Sequence, residues 1–223
     1  MHQILTKIYP EDIYRDFVPM PESITGWGGD APIFKALIQK VKPKVIIEVG
    51  SWKGQSTITM AEACKAYQID SVIICVDTWL GSEEHILQCR RELAPANGFP
   101  TLYYQFLSNV VRRGVQEWIV PLPTTSLIAA NVLACLDIKA DLIYIDASHQ
   151  YEAVMADLKA FTPLLAKGGT LFGHDYCWES VRNAVVNFCK NIGAKHTKID
   201  DFWILNNFPP DETPELPKDA RHG

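Results

Sequence analysis

The stretch that decides the fold is Val45-Ile46-Ile47-Glu48-Val49-Gly50-Ser51-Trp52-Lys53-Gly54-Gln55-Ser56. An apolar run ends in an acid and a glycine, a second glycine follows four residues later, and an amphipathic segment then begins. This pattern predicts a buried parallel strand over 44–49, a tight turn, and a helix over 55–67. Glycine permits positive φ and the close approach of a ligand. The free N–H groups at the start of the helix favour an anionic or polar ligand.

The composition is that of one globular α/β domain, with 223 residues, 48% hydrophobic and 21% charged. A formal net charge of -5 disfavours a nucleic-acid partner, which would need a basic surface. No apolar stretch reaches the ~18 residues of a membrane span. The six cysteines form no C-x-x-C pair, which suggests neither a zinc nor a redox motif, and most lie in apolar segments, so we expect most of them to be small buried residues. With no signal peptide in the sequence, these features predict a cytoplasmic protein.

Strand-like and helix-like segments alternate along the chain, which predicts an α/β fold with a mostly parallel sheet. Residues 1–30 are a mixed leader whose Gly26-Trp27-Gly28-Gly29 loop is either a lid or a connector. Asp30 is expected to cap the helix that starts at Pro32. Further strands are predicted at 69–77, 118–122 (near an edge because of its proline), 141–146, 170–173, 195–199 and 202–205, and helices at 82–93, 101–113, 124–136, 150–166 and 178–191. We expect 80–116 to be a substrate-shaping insertion and 207–223 a flexible tail.

Polar residues follow four of the predicted strands: Glu48 with Gly50, Asp77, Asp146 with His149, and His174 with Asp175. Ligands of open α/β sheets bind at the carboxyl ends of the strands. Asp77 follows Gly50 by 27 residues (77 − 50), which suits an acid that binds ribose hydroxyls. The phosphate-cradling G-x-G-x-x-G is absent, which favours an adenosyl ligand without phosphates. Each residue taken alone is equally compatible with a turn or cap, and Asp141 lies at the wrong strand end and is expected to be structural.

Four motifs in order carry a family resemblance: Ile47-Glu48-Val49-Gly50 through Gln55-Ser56, Val76-Asp77-Thr78-Trp79, Ile145-Asp146-Ala147-Ser148-His149, and Gly168-Gly169 through Gly173-His174-Asp175-Tyr176. The sequence resembles the class I S-adenosylmethionine-dependent methyltransferases. It is similar in particular to the small O-methyltransferases that include macrolide-sugar and catechol-type enzymes. The resemblance implies a single-domain Rossmann-like sandwich over 31–206, with a mostly parallel seven-stranded sheet, an antiparallel C-terminal strand and helices on both faces.

The resemblance also implies roles for individual residues around the cofactor. Glu48, Gly50, Ser51 and Gly54 would lie against its methionine part, and Ser56 would bind its carboxylate. Asp77 would take the ribose hydroxyls, and Thr78 or Trp79 would flank the adenine. The Thr125-Ser126 turn would line the adenine edge, although capping of a helix explains Ser126 equally well. Asp146 would adjoin the cofactor and the reacting atoms.

The metal ligands implied by the catechol-type resemblance are Asp146, His174 and Asp175. Two carboxylates suit magnesium, whereas the imidazole of His174 departs from the usual carboxylate or amide and shifts the preference toward manganese. The alternative that this site binds no metal is also left open. His149 is suited to act as the general base, with a helix-capping histidine as the alternative. His85 and His196 are expected to be surface residues.

The predicted function is transfer of a methyl group from S-adenosylmethionine to a hydroxyl of a small molecule of the sugar or natural-product type. The lack of an Asn-Pro-Pro-Tyr motif favours oxygen over an exocyclic amine as the acceptor. Two alternatives stay open: a nicotinamide-dependent dehydrogenase, disfavoured by the missing G-x-G-x-x-G, and a non-catalytic cofactor-binding protein. No nucleic acid or membrane partner is expected, and a homodimer is left open.

Overall fold

The computed structural model describes residues 3–206, so the predicted tail at 207–223 lies outside the described residues. The strands are β1 (Val45–Val49), β2 (Val72–Asp77), β3 (Ile119–Pro123), β4 (Ala140–Ile145), β5 (Leu165–Gly173), β6 (Lys195–Ile199) and β7 (Phe202–Asn206). The α-helices are α1 (Gln3–Ile8), α2 (Pro32–Val41), α3 (Gln55–Ala66), α4 (Glu83–Leu87), α5 (Leu102–Arg112), α6 (Ser126–Cys135), α7 (Tyr151–Phe161) and α8 (Glu179–Ile192). Short 3-10 turns cover Arg90–Leu93, Gln116–Trp118 and Thr162–Leu164.

The strands form one seven-stranded sheet in the order β3-β2-β1-β4-β5-β7-β6. The pairs among β1 to β5 are parallel, and β7 runs antiparallel to both of its neighbours. This confirms the predicted Rossmann-like fold, including the antiparallel C-terminal strand and the edge position of the proline-containing β3. The chain order reverses between β1 and β4, where Val49 lies beside Ile145. The carboxyl ends of β1, β2, β4 and β5 therefore meet at one edge, where such sheets bind ligands.

Helices cover both faces of the sheet because successive strand side chains point to opposite faces. Ile47 and Val49 pack in a core with α6, α7 and α8. Ile46 points the other way, into a core with α2, α3 and α5. Each fully buried aliphatic side chain of these cores contributes about 1.5–3 kcal/mol to folding. Both cores hold β1 and the turn that follows it in a fixed position.

Three predicted helix boundaries are wrong, and the strand predicted over 170–173 begins earlier, at Leu165. The helix predicted over 82–93 ends at Leu87, because four of the five residues of α4 are exposed and a short exposed helix is marginal. The helix predicted over 150–166 ends at Phe161, because Pro163 lacks an N–H and disfavours the helical conformation before it. The N-cap of α2 is Ala31 rather than Asp30.

The leader wraps around one side of the domain. The hydroxyls of Tyr9 and Tyr14 donate to carbonyls of the edge strand β3, at 2.7 and 3.2 Å. The leader then runs along α5, where Met20 N donates to Ser108 Oγ at 3.0 Å. The buried amide of Asn109 accepts from Ser23 N at 3.0 Å and donates to Ser23 O at 3.0 Å. The leader is thus tied to the domain as far as Ser23.

The prediction of buried cysteines is confirmed for Cys64, Cys75 and Cys189 and is wrong for Cys89, Cys135 and Cys177, which are exposed. Apolar neighbours in the sequence do not decide which side of a helix a residue occupies. The prediction for Asp141 is confirmed, since its Oδ2 accepts Lys44 N at 2.7 Å and Val45 N at 3.1 Å at the start of β1. Within residues 3–206, no helix combines the length and apolarity needed to cross a bilayer.

Candidate active site

Gly50 brings the end of β1 against the end of β4. Its φ is +89°, and a Cβ on this residue would lie 2.1 Å from the carbonyl oxygen of Asp146. Its N–H donates to Val76 O at 2.8 Å, and the N–H of Asp146 donates to Val49 O at 2.8 Å. Only glycine permits this backbone conformation and this contact together. The glycine therefore places the turn after β1 directly beside Asp146.

Glu48 and Ser56 are both buried and are bonded to each other. Ser56 Oγ donates to Glu48 Oε1 at 2.5 Å, and Thr57 Oγ1 donates to the other carboxylate oxygen. Burial raises the pKa of Glu48 above its ordinary value, although these hydroxyls oppose the shift. The pair ties β1 to the first turn of α3. Direct contact of Glu48 or Ser56 with a cofactor stays a prediction.

Asp77 holds the turn between Gly50 and Gly54. Its Oδ2 accepts the N–H groups of Ser51 at 3.0 Å and Trp52 at 2.8 Å. Burial raises the pKa of Asp77, and these backbone donors counter part of that rise. Its Oδ1 accepts Trp79 N at 2.7 Å, so backbone donors occupy both carboxylate oxygens, and contact of Asp77 with a ribose hydroxyl stays a prediction. Gly54, at φ +89°, begins α3 in the left-handed region.

Trp79 lies beneath this turn rather than in the cleft. It is 2% exposed, and its ring centroid lies 5.1 Å from Tyr103 and 4.9 Å from Phe106. Its indole N–H donates to Trp52 O at 2.8 Å, whereas its neighbour Thr78 is exposed. Of the two residues predicted to flank the adenine, Thr78 is the one whose side chain faces solvent.

Ser126 is the first residue of α6, and Thr125 caps that helix by accepting Ile128 N at 3.4 Å. Ser126 also hydrogen-bonds the buried carboxyl of Asp157 on α7. The capping interpretation of this turn is therefore seen directly. Its contact with an adenine stays a prediction.

Four predicted residues come together at the ends of β4 and β5. His149 Nε2 lies 2.8 Å from Asp175 Oδ2. His174 Nδ1 lies 3.3 Å from Asp175 Oδ1 and 3.8 Å from Asp146 Oδ1. Burial, followed by the nearby Asp175 charge, raises the pKa of Asp146 to about 7. Burial also acts to raise the pKa of Asp175, but hydrogen bonds from His149 and His174 hold it well below its usual range.

The two histidines both have pKa values raised above the ordinary imidazole value. The hydrogen bond with Asp175 is the main cause of the raised pKa of His149. Burial lowers the pKa of His174, but Asp175 and Asp146 outweigh it and the net shift is upward. The site thus concentrates negative charge that attracts protons or a cation.

The sequence interpretation missed several residues of this site. Tyr144 is fully buried, and its hydroxyl donates to Asp146 Oδ2 at 2.7 Å. The i, i+2 spacing of Tyr144 and Asp146 along β4 was the available signal. His85 was predicted to be a surface residue, but it is half-buried and stacks on Trp52 with ring centroids 4.1 Å apart. Trp178 stacks on His149, and nothing local in the sequence indicates that contact.

The glycine-rich leader loop lies against the site. A Cβ on Gly28 would lie 3.1 Å from His174 Nε2, and one on Gly29 would lie 2.9 Å from Ser56 N. Trp27, between the loop glycines, has its ring 6.4 Å from that of His85. The loop therefore forms part of the wall over the start of α3 and His174.

The residues present fit both a divalent ion and a polar cofactor. One ligand atom each from Asp146, His174 and Asp175 lies within 4.8 Å of the others. Two carboxylates with one imidazole suit magnesium or manganese. Beside the turn after β1, the buried atoms Trp52 Nε1 and Gln55 Oε1 have no hydrogen-bond partner among the described residues. A polar ligand at the turn could supply those partners.

The fold and this site are those of a methyltransferase domain. Residues 47–176 match a family model described as a methyltransferase domain. The match covers more than half of the chain, so the chain belongs to this methyltransferase family. This membership argues against the nicotinamide-dependent dehydrogenase alternative.

Solved structures share the fold. The O-methyltransferase NovP superposes with a TM-score of 0.58 at 16% identity, over 77% of this chain and 76% of that one. CalS11, a TDP-rhamnose 3'-O-methyltransferase of calicheamicin biosynthesis, gives 0.55 at 22% identity, over 78% of this chain and 76% of its own. An O-methyltransferase from Bacillus cereus in complex with SAH gives 0.57 at 14% identity, over 92% and 90%. At these identities the likeness shows the fold.

One curated relative matches by sequence. The uncharacterized protein y4gI of Sinorhizobium fredii is 24% identical over 151 residues, which are 68% of this chain and 15% of that protein. The chain thus spans about 15% of the length of that relative.

Proposed function

We propose that this protein transfers the methyl group of S-adenosylmethionine to a hydroxyl oxygen of a small molecule of the sugar or natural-product type. The observation that carries the proposal is the cluster of Asp146, His149, His174 and Asp175 beside Gly50 at the carboxyl ends of the strands. The name of CalS11 assigns that protein a sugar hydroxyl as acceptor, and its shared fold is consistent with the same choice here.

His149 is the proposed general base. Its Nε2 is within hydrogen-bond distance of the Asp175 carboxylate, so Nε2 carries the proton and Nδ1 is the nitrogen left to accept one. Nδ1 lies 3.9 Å from Glu84 Oε1, beyond hydrogen-bond distance. An acceptor hydroxyl placed beside Nδ1 could give up its proton there as its oxygen attacks a methyl group. Asp175 would orient the imidazole and stabilise its charged form.

The turn between Gly50 and Gly54 is the proposed site of the methionine end of the cofactor, with Ser51 lining it. Asp77, already bonded to the turn, would orient the ribose, and Thr78 and Ser126 would flank the adenine. S-Adenosylmethionine supplies a methyl group made electrophilic by its sulfonium charge. The wall formed by Gly28 and Gly29 would keep water from the reacting atoms.

Asp146, His174 and Asp175 are the residues that would hold a divalent ion. Such an ion would hold the acceptor hydroxyl and lower its pKa. Tyr144, by donating to Asp146 Oδ2, fixes the direction of the other carboxylate oxygen. Methyl transfer measured with and without EDTA tests this part of the proposal: an unchanged rate would remove the metal and leave His149 as the proton acceptor.

The test of the function is formation of S-adenosylhomocysteine with a library of hydroxyl compounds, with the methylated product identified by mass spectrometry. His149→Asn should lower the rate about 10²–10⁴-fold, as expected for loss of a general base. His196→Asn is the matched control, because His196 bonds Tyr176 rather than the cluster, and its rate should match wild type. Binding of the cofactor without turnover on any acceptor would support the non-catalytic alternative. Methylation of an amine alone would contradict transfer to oxygen.

A further inference from the structure

The open side of the cluster is bounded by an aromatic ring. The indole of Trp178, at the start of α8, stacks on His149 with ring centroids 4.7 Å apart and an interplanar angle of 9°. An indole is larger than an imidazole, so His149 cannot cover the whole face on which it stacks. Trp178 remains 46% exposed. A ring whose hydroxyl donates to His149 Nδ1 could therefore stack on the part of the indole that His149 leaves uncovered.

The second boundary is helix α4. Gln150 Nε2 donates to Glu83 Oε1 at 3.1 Å, which fastens α4 to the segment that carries His149. The next residue, Glu84, points its carboxylate toward His149 Nδ1. A hydroxyl beside Nδ1 would donate its one proton to that nitrogen, and the acceptor molecule would then lie close to the Glu84 carboxylate, which is 3.9 Å from Nδ1. Trp178 and Glu84 therefore both adjoin His149.

Three carboxylates, those of Glu84, Asp146 and Asp175, face two histidines on this side of the site. The ion pairs of Glu84, Asp146 and Asp175 are all with histidines, and among residues 3–206 none of the three carboxylates pairs with a lysine or arginine. A divalent ion at Asp146, His174 and Asp175 would offset the charge of the two aspartates and leave that of Glu84. An anionic acceptor beside His149 would therefore be repelled by the Glu84 carboxylate, and a cationic one would gain an ion pair with it.

We propose that Glu84 and Trp178 select the methyl acceptor, and that they select a ring compound without negative charge, with a cation preferred. This inference rests on the proposed function. The proposed acceptor therefore differs in charge from that of CalS11, whose named substrate carries a diphosphate. Trp178 provides a stacking surface for rings of any charge, and Glu84 discriminates between anionic and cationic rings.

The test compares three ligands that share one dihydroxyphenyl ring: catechol, which is neutral, dopamine, which is cationic, and 3,4-dihydroxybenzoate, which is anionic. Binding to the full chain saturated with S-adenosylhomocysteine is measured by calorimetry in the presence of Mg²⁺. Dopamine should bind about tenfold or more tightly than 3,4-dihydroxybenzoate, with catechol between them. Raising NaCl should narrow this difference, because Glu84 is half exposed and its field is screened.

Two variants separate the roles. Glu84→Gln should reduce the difference between dopamine and 3,4-dihydroxybenzoate to less than about threefold, and Glu83→Gln is the matched control that should preserve it. Trp178→Leu should weaken all three ligands by a similar factor. None of the variants should change the affinity for S-adenosylhomocysteine.

The inference is overturned if 3,4-dihydroxybenzoate binds as tightly as dopamine, if Glu84→Gln leaves the order and size of the differences intact, or if none of the three ligands binds. These outcomes differ from failure of the proposed function. That failure would appear as loss of S-adenosylhomocysteine binding, or as the absence of methyl transfer to any hydroxyl.

Discussion

Asp157 provides a quantitative test of the packing between α6 and α7. Asp157 is 3% exposed, and Ser126 hydrogen-bonds its carboxyl. Burial raises its pKa from 3.8 to about 6, and the serine opposes only part of that shift. The folded protein therefore favours the neutral carboxyl, and ionisation of Asp157 costs stability.

Proton linkage sets the direction in which Asp157 changes the stability of the fold with pH and the pH range of that change. Because the folded-state pKa lies above the unfolded value, the contribution of Asp157 is fully present below about pH 4 and is lost as the pH rises through about 6. A shift of about two units corresponds to roughly 3 kcal/mol at 1.36 kcal/mol per unit. Asp157→Asn removes the titrating group while keeping a polar side chain of similar size. The variant should gain stability over wild type by up to about 3 kcal/mol between pH 4 and 7.

The assay is urea denaturation of wild type and Asp157→Asn at half-unit pH steps from 4 to 8. Other groups titrate in this range, but the difference between the two proteins isolates Asp157. The difference should rise between pH 4 and 6 and stay constant above. A difference that does not change with pH, or that falls as the pH rises, would refute the assignment of a buried neutral carboxyl.

Three further substitutions test the site. Gly50→Ala should lower the free energy of unfolding by at least about 4 kcal/mol, because its Cβ would collide with the Asp146 carbonyl. Gly168→Ala is the control: its φ is +79° and nothing lies within 4 Å of its Cβ, so backbone strain alone should lower the free energy of unfolding by only about 1–2 kcal/mol. Denaturation assays measure both. Asn109→Ala should lower the free energy of unfolding by about 3 kcal/mol and make the leader sensitive to limited proteolysis, because this amide links the leader to the turn after β1. Unchanged proteolysis would contradict that role. Tyr144→Phe should raise the pKa of Asp146 further, measured by carboxyl NMR, and a lowered pKa would contradict the donated hydrogen bond.

Local pattern predicted the parts of the fold that depend on local physics. The apolar run before Glu48 could be placed in a buried strand, and Pro121 marked an edge strand because proline cannot donate to a ladder. The break after Leu87 could not be predicted, because α4 lacks the buried contacts that stabilise most helices. Such contacts are made by residues distant in sequence.

In the candidate site, too, some features follow from the local sequence and others depend on contacts between residues distant in sequence. Asp146, His149, His174 and Asp175 could be placed together because the carboxyl ends of parallel neighbouring strands meet at one edge of the sheet. The burial of Trp79 and the stacking of Trp178 on His149 depend on the packing of separate elements. The roles of the cofactor residues, the extent of the insertion at 80–116 and the use of the leader as a lid stay predictions.

The central claim is that the turn after β1, held by Asp77, binds a phosphate-free adenosyl cofactor for methyl transfer. The most direct measurement is calorimetric titration of the full chain with S-adenosylmethionine, S-adenosylhomocysteine and NAD⁺. The two sulfur compounds should bind with one-to-one stoichiometry, Asp77→Ala should weaken both by at least about tenfold, and NAD⁺ should not bind. Absence of binding by either sulfur compound, or tight binding of NAD⁺, would contradict the account.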